Sequence, residues 1–264
     1  MMMYNDAKDA LRSMRMRAND LFKQSFKKSV AVSLLYTVVS LALSFLTLFV
    51  ESQLLSTVLL LVLAFIAASL QIGLCEYFLL LRSGDKPSAK LLMRYFDQNS
   101  LPLVAILAFI NWAAGLIGML FGFFSLVIQI LASALVFLAP YLYVMRGGQG
   151  KPAMLVREAM QRMQGRWEMY VRIMVRQYLY TLGVSLGVSL VLSGVMIGLS
   201  FIGMTAFLAT EVGYYVWLGI AVIVAIAVSA VVTAYFQIYL TELAVDSIDK
   251  TQKNEEKEES DFIV

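Results

Sequence analysis

The sequence predicts an all-α membrane protein with six transmembrane helices, and three observations predict it. The chain of 264 residues is 60% hydrophobic and 15% charged, whereas soluble domains average about 45–50% apolar and about 25% charged residues. Its apolar residues form uncharged runs long enough, at ~1.5 Å per helical residue, to cross a hydrocarbon core of roughly 30 Å. Its 21 Lys and Arg residues fall into four segments: 8–28, 82–94, 146–176 and the C-terminal tail. The period-2 alternation of a membrane barrel is absent, which leaves the helix as the form that satisfies its own backbone in lipid.

Residues 5–28 read as a basic amphipathic helix. Ala7, Leu11, Met14, Ala18, Leu21, Phe22 and Phe26 recur at helical spacing on one face, and Lys8, Arg12, Arg15, Lys23 and Lys27 gather on the other. Such a helix is expected to lie in the interface, its basic side chains among lipid headgroups. It lacks the short charged region and small-residue cleavage site of a signal peptide. Span one follows over about 30–50, then a turn with Glu51, then span two over about 54–81.

Arg82 opens a polar loop, and Pro87 suits the first turn of a second amphipathic helix with Ala89, Leu92, Met93 and Phe96 on its apolar face. Residues 101–145 carry no charge. As one helix they would run about 68 Å, so they divide near Gly122 into spans of about 101–121 and 125–145, the second kinked by Pro140. The loop Arg146 to Pro152 leads to another amphipathic helix, with Leu155, Val156, Ala159, Met160 and Met163 facing one way. Trp167 and Tyr170 suit interfacial anchors. Spans five and six are expected over about 177–203 and 213–245, with Glu211 in the turn between them. Residues 1–248 form a single transmembrane domain, and the polar tail, 249–264, reads as disordered.

Charge sets the topology. Six spans send every basic residue to one side, leaving only Glu51 and Glu211 in the outer turns. Five spans would place the 146–176 segment outside, against the positive-inside rule. The N- and C-termini are therefore expected to be cytoplasmic, in a bacterial cell membrane. Tyr77 to Arg82 and Tyr141 to Arg146 are each followed by a glycine-bearing loop ending Lys-Pro and an amphipathic helix, an internal repeat that suggests three parallel hairpins: spans 1–2, 3–4 and 5–6. A second pattern, Q-I-x-L-x-E, occurs at Gln71–Glu76 and Gln237–Glu242.

The basic N-terminal helix, Tyr77-x-Leu-x-Leu-Arg82-x-Gly84, Leu138-Ala139-Pro140-Tyr141 and Arg157-Glu158-Ala159-Met160 through Gly165-Arg166-Trp167 together resemble a family of bacterial integral membrane proteins, the domain of unknown function 975. The resemblance covers residues 8–248. It implies a multi-span bacterial membrane protein and no catalytic residues.

Several chemistries are excluded or left without parts. There is no histidine, which removes the commonest general base and metal ligand. A single cysteine, Cys75, permits neither an internal disulfide nor a cysteine zinc cluster. Gly147-Gly148-Gln149-Gly150-Lys151 lacks the spacing of a phosphate-binding loop and is followed by Pro152 where Ser or Thr would bind magnesium. No enzyme activity, cofactor or metal is expected. Nucleic acid is not an expected partner either, because the basic residues flank spans and suit anionic phospholipid headgroups.

The candidate functional residues are polar groups inside spans. Glu76 and Glu242, with Gln71, Asn111 and Gln237, could form an inward-facing polar site for a cation, a proton or a headgroup; alternatively the carboxylates pair with Arg82 or Arg146 at the interface. Arg12, Arg15, Lys23, Lys27, Arg82, Arg94, Arg146, Arg157 and Arg162 are candidate headgroup ligands, or a surface for an acidic cytosolic partner. Gly183, Gly187, Gly194 and Gly198 suit close helix packing, within the chain or in a homodimer, and Gly118 and Gly122 share that ambiguity. These features point to a non-catalytic protein that interacts with lipids or assists a membrane complex, with a small-solute or ion permease as the alternative.

Overall fold

The structure, a computed structural model, describes residues 2–46, 50, 52–201 and 211–262. Glu51 lies outside the described residues, as do the side chain of Glu211 and the surroundings of Gly198. Eight α-helices and no strand occur among the described residues. They are α1 (Met2–Leu46), α2 (Gln53–Arg82), α3 (Leu101–Phe121), α4 (Ser125–Val136), α5 (Leu138–Met145), α6 (Pro152–Arg162), α7 (Trp167–Phe201) and α8 (Glu211–Phe262). Six segments are long and apolar enough to cross a membrane, α4 and α5 together forming one of them.

The first difference from the sequence reading is at the N-terminus. The basic amphipathic segment and span one are a single helix, α1, of 45 residues. No Gly or Pro occurs before Gly73, so nothing in the sequence breaks it. Its apolar face packs on α8: Leu11, Met14 and Ala18 are buried, and the Tyr239 hydroxyl donates to the Leu11 carbonyl at 3.1 Å. The same stripe continues through buried Ser25, Ser29 and Val32, and Phe22 meets Tyr235 edge to face. α8 likewise has no Gly or Pro after Gly219 and stays helical to Phe262. Residues 249–262, expected to be disordered, are thus helical, in keeping with their Lys, Gln and Glu content.

α3 and α4 meet at a 3-10 turn, Gly122–Phe124, where Gly122 takes φ +50°. The fourth span is broken at Phe137, whose N–H reaches back only to Ala134 at 3.4 Å. Three residues later Pro140 has no N–H to offer the Val136 carbonyl, which accounts for the kink. α3 packs along α2 and α4, and α7 along α8. α1, however, packs far more extensively on α8 than on α2.

The loops at the basic end are short and tied to the bundle. α2 and α5 end in the same way: the Asp85 N–H bonds the Leu80 carbonyl (3.0 Å) with Gly84 at φ +88°, and the Gly148 N–H bonds the Tyr143 carbonyl (2.9 Å) with Gly147 at φ +66°. These left-handed closures need a residue without Cβ. The amphipathic helix expected from Pro87 is only a 3-10 turn, Ala89–Met93, capped by the Ser88 side chain. It is pressed against α2 so closely that a Cβ at Gly73 would sit 2.5 Å from the Leu91 carbonyl oxygen. Leu92 is buried there, while Met93 and Phe96 stay exposed. α6, in contrast, is a full helix with Pro152 in its first turn, and it buries Leu155, Ala159 and Met163.

Candidate functional site

The charged residues gather at one end of the bundle and largely satisfy one another. Glu242, 3% exposed, accepts from Arg17 Nε at 2.9 Å and from Arg82 Nε at 2.8 Å, joining α1, α2 and α8. Glu76, also buried, pairs through Oε1 with Arg94. Burial, and then the Glu76 charge, raise the Tyr95 phenol above its ordinary pKa. Glu158 holds Arg146 at 2.7 Å and Arg162 at 2.9 Å. Arg166 bonds Asp246 at 2.7 Å and Ser247 at 2.9 Å, and Arg162 Nη1 reaches the Ile248 carbonyl at 3.2 Å. The segment between α6 and α7 is thereby clamped to α8.

These pairs sort the candidate residues. Glu242 sits between two arginines, Glu76 pairs with Arg94 through Oε1 and leaves Oε2 without a hydrogen-bond partner, and neither lines the two cavities described next. Their partners are Arg94, Arg82 and Arg17; Arg146 instead pairs with Glu158. Of the candidate headgroup ligands, Arg82, Arg94, Arg146 and Arg162 are thus committed to carboxylates, while Arg12, Arg15, Lys23, Lys27 and Arg157 are exposed.

The three amides of the candidate site do come together. Gln71, Asn111 and Gln237 line one cavity of about 430 Å³ at the centre of the bundle. Each of the six spans contributes to its wall: Tyr36 from α1, Gln71 from α2, Asn111 from α3, Ser133 and Pro140 from the kinked span, Gln177 from α7, and Gln237 with Thr233 from α8. Asn111 is ten residues into α3, or roughly 15 Å from its start, which is about half of a hydrocarbon core of roughly 30 Å. Pro140 lines the wall.

The polar groups of this wall are unevenly satisfied. The Tyr36 hydroxyl donates to Gln71 Oε1 at 3.3 Å, and the Tyr170 hydroxyl to Ser133 Oγ at 3.0 Å. Ser133 in turn donates to the Ile130 carbonyl at 2.9 Å. Two buried acceptors have no hydrogen-bond partner: Gln177 Oε1 and Gln237 Oε1. None of the lining residues is charged.

A second cavity of about 650 Å³ shares Tyr36, Ala64, Ala67 and Asn111 with the first. It continues between α1, α2 and α3 toward Gly122 and Gln129, and its walls are mainly aliphatic, with Leu43, Leu60, Leu63 and Leu116. Trp112 edges it and donates through Nε1 to the Thr57 carbonyl at 3.3 Å.

Gln177 and Tyr36 escaped sequence reasoning for one reason each. Gln177 was placed at the start of span five, but α7 begins at Trp167, so the amide is ten residues inside. The signal was available as an uncharged polar residue in step with Tyr170 and Met174 at helical spacing. Tyr36 carried no signal, since tyrosine is common in spans. Three glycines of α7 are open among the described residues: a Cβ at Gly183, Gly187 or Gly194 would meet nothing within 4 Å. Gly118 does pack closely, against Ser125, while a Cβ at Gly122 would meet nothing. Ser185 and Ser189 of α7 face Ala221, Ala225 and Ser229 of α8 across a third cavity of about 290 Å³. No group of three or more His, Cys, Asp or Glu that could hold a metal occurs among the described residues.

The fold defines a multi-pass helical membrane protein with an uncharged polar cavity among its spans. Comparison with protein-family models, curated proteins and solved structures gives no match for this chain.

Proposed function

We propose that this protein is a non-catalytic permease that admits a small solute to a polar site in the middle of the membrane. The observation that carries the reading is the central cavity, to which every span contributes and in which Gln71, Asn111, Gln177 and Gln237 meet from four helices. A protein that served only as a scaffold would gain nothing from orphaned amides at that depth, because an unsatisfied buried acceptor costs about 1–3 kcal/mol. The polar site differs from the one the sequence suggested: the amides form it, and Glu76 and Glu242 are structural clamps below it.

In this reading the protein sits in a bacterial cell membrane with both termini in the cytoplasm. Support comes from the 21 basic residues at the ends of spans that share one side. The motifs that resemble the domain of unknown function 975 family suit that architecture. The experiment is flux: purified protein in sealed vesicles, challenged with a panel of neutral, cationic and anionic solutes of three to six heavy atoms. Uptake above that of protein-free vesicles for at least one class is expected. Vesicles no leakier than the control to every class would refute the permease.

A second reading, a lipid-interacting or accessory protein, is favoured by the aliphatic cavity that continues from the polar one. An acyl chain there would place its polar head among the amides. Exposed Arg12, Arg15, Lys23, Lys27 and Arg157 would add attraction to anionic lipid. A homodimer through the open glycine face of α7 is compatible with either reading.

A further inference from the structure

The central cavity also constrains the chemistry of what it holds. Gln237 is 7% exposed, lines the cavity, and leaves Oε1 without a partner; Gln177 Oε1 is in the same state on the facing helix. Two hydroxyls of the wall are already used, by Gln71 and by Ser133. The wall therefore presents open acceptors, so an occupant must bring hydrogen-bond donors. It must also be uncharged. No lining residue carries a charge, and the carboxylate Glu242, outside that wall, is already held by Arg17 and Arg82. A cation or anion would thus lie among neutral dipoles with no counter-charge on the wall, which costs more than placing an uncharged group there.

We infer that this site takes an uncharged group bearing hydroxyls or a carboxamide, held by the side-chain amides of Gln177 and Gln237. A hydroxyl both donates and accepts, and so matches an amide at its oxygen and at its nitrogen. The inference rests on the central cavity being an occupied site, as the permease reading and the lipid reading both have it, and it narrows the class of occupant. The same chemistry has two sources: a free polyol or urea-like solute, or the head of a neutral glycolipid whose chain occupies the adjoining aliphatic cavity.

The test uses the full chain in vesicles and two variants, Gln237→Leu with Gln177→Leu, and the milder Gln237→Asn as a check on folding. One arm measures entry of glycerol and urea against ethanolammonium and glycolate by light scattering. The other measures, by native mass spectrometry, which lipid is retained after extraction from vesicles of phosphatidylglycerol and monoglucosyl diacylglycerol. Glycerol or urea entering at least tenfold faster than the ions, with the double leucine variant at least tenfold slower, supports a free solute. Retention of the glucolipid over phosphatidylglycerol, lost in the same variant, supports the lipid head. Ions entering as fast as glycerol overturns the neutral class and leaves the permease standing. Neutral flux and lipid retention that both survive the leucine pair overturn the assignment to Gln177 and Gln237. No entry of any solute and no retained glucolipid overturns the inference together with the permease.

Discussion

Glu242 shows how a single carboxylate can decide local architecture. It is buried and yet holds two guanidinium groups from two other helices at 2.9 and 2.8 Å. Breaking a buried ion pair leaves the remaining charge poorly compensated, but Arg17 and Arg82 are partly exposed, so water recovers part of the loss. Glu242→Gln is expected to destabilise the protein by about 1–3 kcal/mol, read as a fall in the thermal midpoint in micelles. Arg146→Gln, which removes only the exposed pair to Glu158 and leaves the Arg162 pair in place, should cost less. A Glu242→Gln midpoint equal to wild type would mean the triad contributes nothing. Gly73 is the other decisive residue. A Cβ there would meet the Leu91 carbonyl oxygen and the Leu92 Cα, at 2.5 and 2.7 Å, both of them backbone atoms. Gly73→Ala should therefore displace the 3-10 turn and cost about 1–3 kcal/mol, the usual penalty of overpacking. Hydrogen exchange at Leu91 and Leu92 would report the displacement, and unchanged protection would contradict it.

At the scale of elements, the small-residue rule applies to a different helix from the one the glycines suggested. Close packing in lipid favours small residues, and α7 has the glycines. Yet the tight seam is on α1, where Ala18, Ser25 and Ser29 are buried, while Gly183, Gly187 and Gly194 face open space. Ser29→Leu should force α1 out of its seat and lower stability by about 1–3 kcal/mol. Gly187→Leu should leave the monomer within roughly 0.5 kcal/mol of wild type. Thermal unfolding compares the two, and the reverse order would refute this assignment of the faces. If the α7 face joins two copies, Gly187→Leu alone will lower the oligomeric mass in mild detergent. Serine was the less visible signal because its spacing in α1 is confounded with that of the basic face. Only packing tells which small residues are at an interface.

The whole molecule is organised by its two longest helices, the first and the last, and by the cavity that the other spans close around. The proposed topology makes a direct prediction at this scale. In a Cys75→Ser background, a cysteine at residue 148 should react with a membrane-impermeant thiol reagent only from the cytoplasmic side. A cysteine at residue 123 should react only from the other side. Labelling of both from one side would overturn the six-span orientation.

The helical membrane architecture was legible in the sequence because lipid imposes a length rule. Uncharged runs and basic flanks follow from desolvation, which acts on each residue independently of its neighbours in space. The break at Gly122 and the kink at Pro140 were legible for a similar reason, since backbone constraints are local. Three of the cavity amides, Gln71, Asn111 and Gln237, stood out as polar residues in apolar runs. What the tertiary structure alone decided is the partner of each group. Glu76 and Glu242 were equally conspicuous in the sequence, but arginines from other segments pair with them outside the cavity, whose wall is left to the amides. The basic N-terminal stretch had the pattern of a surface helix, and its apolar face packs on α8. A pattern records that a face must be buried; which surface buries it depends on residues more than two hundred positions away.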